Sequence, residues 1–194
     1  VMPGNATVTA TYGVPFLAHA CMEPMTATAR IVDGRVEVFA PVQSNTLAVW
    51  AVARALDIED SAVTVFPTLL GGGFGRKAEN DHVVQAALIA RAVEKPVQLI
   101  WSREEDTTQD KYRPAAKARF AATISADKTI ESWDCTIAVP SVGTSFMNRN
   151  LPAMGGDPGP NGQAIEGAAE IPYAVPNQRI AHSHVDVPVP LGFW

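Results

Sequence analysis

The chain has 194 residues, 47% of them hydrophobic and 18% charged, with a net charge of −5. That length holds one large or two small domains with a genuine core. The acidic balance and scattered basic residues argue against nucleic acid or an anionic membrane as the main partner, and no apolar run reaches the roughly twenty residues that span a bilayer.

The start, Val1-Met2-Pro3-Gly4, carries neither a basic segment nor an apolar signal core, so an export signal is expected to be absent or to lie upstream. Residues 6–12 and 25–32 alternate small polar with apolar side chains, and 35–39 repeats the pattern after Asp33-Gly34. These read as strands, the last two forming a hairpin. Between the first two lies His19-Ala20-Cys21-Met22-Glu23-Pro24, where Pro24 ends any helix. His19 is expected as a satisfied buried histidine and Glu23 as a carboxylate bonding the backbone. The two cysteines, Cys21 and Cys135, lack Cys-x-x-Cys spacing. They are expected as free buried thiols rather than as part of a zinc or iron–sulfur site.

Ser44 or Asn45 is a natural N-cap for a helix ending near Leu56, with Val49, Val52, Ala53 and Leu56 on its buried face. A strand at 62–66 leads into Gly71-Gly72-Gly73-Phe74-Gly75-Arg76-Lys77. After this loop a helix over 81–93 is apolar almost all round and is expected to be buried on several sides. Lys95-Pro96 stops it, and 97–101 is a further strand.

The glycine loop fits neither a phosphate-binding P-loop nor a dinucleotide fingerprint, because the spacing of both is missing. It is either a tight strand-to-helix turn or a nest of amides for a ligand. Phe74, flanked by glycines, either plugs a core or offers its ring to a flat ligand. Residues 36–39 running into the Gln43 loop and 63–66 running into the glycine loop form two successive strand-loop-helix units. If their strands are parallel, both loops emerge at one sheet edge and Gln43 neighbours Phe74.

Ser102 caps a charge cluster, Arg103-Glu104-Glu105-Asp106, expected as a solvated first helical turn. Residues 116–125 and 129–139 read as a hairpin closed at Asp127-Lys128. Residues 140–162, rich in Gly and Pro, read as an ordered loop or a linker. A last strand over 178–187 contains His182-Ser183-His184, whose histidines share a face but lack a third ligand, so no metal site is assigned. The fold class is therefore α+β, with mixed sheets and helices packed on them.

In order along the chain, His19-Ala20-Cys21-Met22-Glu23-Pro24, Pro41-Val42-Gln43-Ser44-Asn45-Thr46, the glycine loop, Arg103-Glu104-Glu105-Asp106, Arg113-Pro114 and Ile171-Pro172-Tyr173-Ala174-Val175-Pro176-Asn177 resemble one family. It is the molybdopterin-binding large subunit of the xanthine oxidase and aldehyde oxidoreductase family, particularly the isoquinoline 1-oxidoreductase β-subunit type. The resemblance implies contacts to a molybdenum–molybdopterin cofactor from Gln43, Gly72, Gly73, Phe74 and Gly75. It implies hydroxylation of a small aromatic N-heterocycle or oxidation of an aldehyde with water-derived oxygen, iron–sulfur clusters on a partner subunit, and a periplasmic or cytoplasmic bacterial setting. Ala78 stands where many relatives carry a substrate-facing glutamate, so purine-type recognition is not expected.

The family's catalytic glutamate has no match, and an arginine usually found just past the last glycine-aromatic motif would fall after Trp194, so no catalytic residue is assigned. The chain is expected to be a fragment, inactive alone, that works with the remainder of the large subunit. Its expected division is 1–139 as a cofactor-binding segment, 140–177 as a connection, and 178–194 as a strand leading into a missing C-terminal part. A non-catalytic binding or assembly module of the same fold is the alternative.

Overall fold

The computed structural model describes residues 8–126, 128–154 and 162–194. In chain order its strands are β1 (Val8–Val14), β2 (Thr26–Val32), β3 (Arg35–Ala40), β4 (Val63–Pro67), β5 (Val97–Ile100), β6 (Ala116–Ile124), β7 (Ile130–Val139) and β8 (Asn177–His184). The helices are α1 (Asn45–Leu56), α2 (Asp81–Val93), α3 (Arg103–Thr108) and α4 (Val142–Asn150), with short 3-10 turns between. Two compact units result, one of Ala18–Lys111 with Gly192–Trp194, the other of Val1–Leu17 with Tyr112–Leu191.

The first unit holds the mixed sheet β4-β3-β2-β5. β2 and β3 form the expected hairpin. Its turn residues Asp33 and Gly34 have φ of 49° and 75°, a pair of left-handed positions that matches the twist of the flanking strands. β3 and β4 run parallel, Val36 opposite Val63 and Ala40 opposite Pro67, with α1 as the crossover. α1 and α2 pack on the sheet face carrying Ala27, Ala29, Val36, Val38, Ala40, Val63 and Val65.

On α1 the fully buried residues are Ala48, Val52, Ala53 and Leu56, with Val49 only partly buried. α2 is a correction to the sequence reading. Its buried residues His82, Val83, Ala86, Ala87 and Ala90 lie on one face, while Ile89 and Val93 are 40% and 49% exposed.

The second unit holds β1-β6-β7-β8, in which the expected β6–β7 hairpin pairs antiparallel and β8 joins β7 in parallel. Of the predicted turn residues, Asp127 lies outside the described residues. Tyr12, Phe120 and Trp133 line up across one face, with ring centroids 5.7 and 5.3 Å apart. The run from Pro140 was expected to be loop or linker, yet it forms α4, capped by the Ser141 side chain accepting from the Thr144 amide. Within this unit His182 Nε2 donates to the Val139 carbonyl at 2.9 Å and His184 pairs with Asp186. Cys21 and Cys135 are free and buried, as expected. Among the described residues no helix is long and apolar enough to cross a membrane.

Candidate functional site: a braced glycine loop

Because β3 and β4 are parallel and in register, the chain leaves both at one edge of the sheet, and the Thr68 amide bonds the Ala40 carbonyl there. The Gln43 loop and the glycine loop lie side by side, as the repeated strand-loop-helix pattern predicts. Gln43 Oε1 accepts from the amides of Gly75 at 3.0 Å and Lys77 at 3.1 Å, and the Gln43 amide donates to the Lys77 carbonyl at 2.8 Å. These bonds occupy the acceptor of the side chain and leave its Nε2 donor group free among the described residues.

Each glycine of the loop gives its missing Cβ to a different neighbour. A Cβ on Gly71 would lie 2.5 Å from Glu23 Cβ, one on Gly73 2.7 Å from Gln43 Cδ, and one on Gly75 2.1 Å from the Phe193 carbonyl oxygen. At Gly72 it would lie 3.0 Å from the Phe74 ring, and Gly72 and Gly75 also have φ of 97° and 94°. Glycine is thus required by the protein's own packing, whatever else approaches the loop.

The Arg76 amide closes the turn onto the Gly73 carbonyl at 2.8 Å, and the Gly71 amide bonds Glu23 Oε2 at 2.9 Å. Among the described residues, the amides of Gly72, Gly73 and Phe74 donate to no protein acceptor. Consecutive amides at alternating backbone handedness form a concavity for anionic or oxygen-rich groups. Phe74 sits at φ 50° and is 57% exposed, so it does not plug the core. An aromatic residue in the left-handed region is a costly conformation that the contacts from Glu23, Gln43 and Phe193 hold.

Beneath the loop lies a lattice of buried charge. Arg76, 0% exposed, grips Asp81 with both terminal nitrogens at 3.0 and 2.9 Å, lies over the Trp101 ring, and brings Nε within 2.9 Å of Asp110 Oδ1. Lys111 adds a second cation to Asp81 at 3.1 Å. Burial alone would raise the carboxyl of Asp81, but the His82 ring 3.7 Å away, the charge and hydrogen bonds of Arg76, and Lys111 outweigh it and hold it far below the usual carboxylate range. Asp110 is likewise held low: burial opposes ionisation, and hydrogen bonds from the ring and amide of His19 reverse the effect.

Lys77, fully buried, pairs with Glu23, whose carboxylate also takes the Gly71 amide. Burial raises Glu23 less than Lys77 and Gly71 lower it. His82 is buried with neither ring nitrogen hydrogen-bonded. Burial depresses its basicity against the opposing pull of Asp81, whose Oδ1 lies 3.7 Å from Nδ1.

The expected satisfied His19 and backbone-bonding Glu23 are both found. The charge cluster on α3 is a correction: Ser102 does cap the helix, but Asp106 is buried and holds Arg103, which donates to the carbonyls of Cys21 and Met22. α3 therefore fixes the loop that carries Glu23. The roles of Arg76, Asp81 and Asp110 were not foreseen. The one available signal was the position of Arg76 and Lys77 directly behind the last glycine.

Comparison with known proteins adds an independent finding. The family described as "Molybdopterin cofactor-binding domain" matches residues 4–154. The chain is 37% identical over 125 residues to the isoquinoline 1-oxidoreductase subunit beta of Brevundimonas diminuta, covering 63% of this chain and 16% of that one. It is 27% identical over 177 residues to the nicotinate dehydrogenase large molybdopterin subunit of Eubacterium barkeri, covering 88% and 38%. In fold it is similar to quinoline 2-oxidoreductase from Pseudomonas putida 86, with a TM-score of 0.62 at 18% identity over 73% of this chain and 20% of that one.

Proposed function

Since the chain belongs to the molybdopterin cofactor-binding domain family, we propose that it forms one wall of the cofactor site in the large subunit of a molybdenum hydroxylase. The substrate class we assign is a small aromatic N-heterocycle or an aldehyde. The chain spans 16% of the length of the isoquinoline 1-oxidoreductase relative, so substrate and partners are inferred for a larger assembly that includes an iron–sulfur subunit.

The observation that carries this reading is the set of unpaired donors on the braced loop and its neighbour. Unpaired amides of Gly72, Gly73 and Phe74, the free Nε2 donor of Gln43 and the exposed Phe74 ring all belong to two adjoining loops. A pterin with its phosphate and oxygen acceptors needs hydrogen-bond donors and a flat apolar wall more than it needs formal charge. The buried cations Arg76 and Lys77 are neutralised by Asp81 and Glu23, so the cradle recognises acceptors by donated hydrogen bonds. When bound, the cofactor supplies the metal that takes up the substrate's electrons.

The chain's own part is to bind and orient. Gln43 holds Gly75 and Lys77 while donating outward, and the glycine loop presents its amides without the reorganisation a mobile loop would require.

Purifying the full-length subunit with its iron–sulfur partner, followed by metal and pterin analysis and dye-linked oxidation of N-heterocycles and aldehydes, tests the reading. Stoichiometric molybdenum with turnover is expected. Absence of both metal and pterin from correctly folded complex would overturn it, and cofactor without turnover of either class would leave a binding module.

A further inference from the structure

Gly192–Trp194 belongs with the first unit, against the glycine loop. Three contacts seat it. A Cβ on Gly192 would lie 2.5 Å from the Lys111 carbonyl oxygen, so the backbones touch there. The Phe193 carbonyl fills the space where Gly75 lacks a side chain. Trp194 stacks on the His19 ring, centroids 4.8 Å apart at 26°.

His19 connects these contacts to the charge lattice. Its backbone amide bonds Asp110 Oδ2, its Nδ1 lies 3.0 Å from Asp110 Oδ1, and its Nε2 is 2.7 Å from the Phe193 oxygen. A carbonyl and a carboxylate can only accept, so the contact to Phe193 places a hydrogen on Nε2 just as the contact to Asp110 places one on Nδ1. Asp110 in turn touches Arg76, the residue that follows Gly75.

We propose that His19 is a positioning residue: it clamps the Phe193 carbonyl against Gly75 and thereby sets the glycine-loop amides and Phe74 for the cofactor. The residue is buried and does not itself reach the outward face. On this account the 192–194 segment is a brace for the loop, equal in kind to Gln43 and Glu23. The inference rests on the proposed cofactor role for its consequence, but its structural part stands without it.

The test uses the full-length subunit with His19→Ala, His19→Gln and Gly75→Ala. Glutamine keeps an amide donor of similar reach, alanine at 19 removes the donor, and alanine at 75 pushes the carbonyl away without touching His19. Hydrogen exchange on cofactor-free protein reads the brace directly. His19→Ala and Gly75→Ala should speed exchange of the Gly75 and Lys77 amides at least about tenfold, with α2 unchanged, since those amides lose a fixed acceptor geometry. His19→Gln should stay within about threefold of the parent, a rescue that follows from the retained donor.

Molybdenum content should fall in the same order. Unchanged exchange at Gly75 in both alanine variants would overturn the clamp, as would uniformly faster exchange across the unit in all variants. Faster loop exchange with no molybdenum in the parent would keep the clamp and refute the cofactor reading instead.

Discussion

At the scale of single residues, the site depends on groups that would be costly if left alone. Arg76 has no exposure and three anionic contacts on Asp81 and Asp110. Removing one partner of a buried pair strands the others and costs about 3–5 kcal/mol. Arg76→Met should therefore destabilise the first unit by that order in urea titration, a far larger effect than neutralising the half-exposed Arg30, which pairs with Glu37.

The same carboxylates give the pH dependence its sign. Asp81 and Asp110 are depressed in the folded state, so their contribution is complete above the unfolded carboxylate value and is lost as pH falls through the folded ones. Stability should hold from neutrality down to about pH 5 and then decline steadily on further acidification. Asp106, raised by burial against the pull of Arg103, acts in the opposite sense and offsets part of the loss. Equilibrium unfolding from pH 7 to pH 3 checks this, with Asp81→Asn expected to flatten the profile.

Secondary structure shows where the sequence was informative. The meeting of the Gln43 and glycine loops was legible because a parallel pair joined by a helical crossover must place both following loops at one edge. α4 was not legible: Gly143, Thr144, Ser145 and Asn148 are poor helix formers, and only Phe146 of the helix is buried. α2 was over-read, since alanine at 86, 87 and 90 made a single packing face look apolar all round. The lattice of Arg76, Asp81 and Asp110 was hidden because Asp110 is distant in sequence from the other two and charged residues are ordinarily solvated.

Both long helices of the first unit end on non-glycine residues in the left-handed region, Asp57 at φ 53° and Glu94 at φ 54°. Glycine is the favoured residue at such positions. Asp57→Gly and Glu94→Gly should each stabilise by about 0.5–1 kcal/mol, offset in part by the greater entropy of the unfolded chain. Thermal melting of the pair together should show nearly additive gains, because the sites are on different helices.

For the molecule as a whole, the proposed function makes Gln43 and the glycine loop one cradle, with Gln43 pinning the loop through Oε1 and offering a free donor at Nε2. Gln43→Glu separates these tasks. A carboxylate keeps both acceptor contacts to Gly75 and Lys77 but loses the outward donor and places an anion beside acceptors. Molybdenum and pterin content measured on Gln43→Glu, beside its thermal melting, distinguishes loss of the donor from loss of the fold. The expected result is a melting temperature close to that of the parent with cofactor content reduced at least about tenfold, the consequence of roughly 1.4 kcal/mol or more of lost affinity. Full cofactor content in a stably folded Gln43→Glu subunit would contradict it.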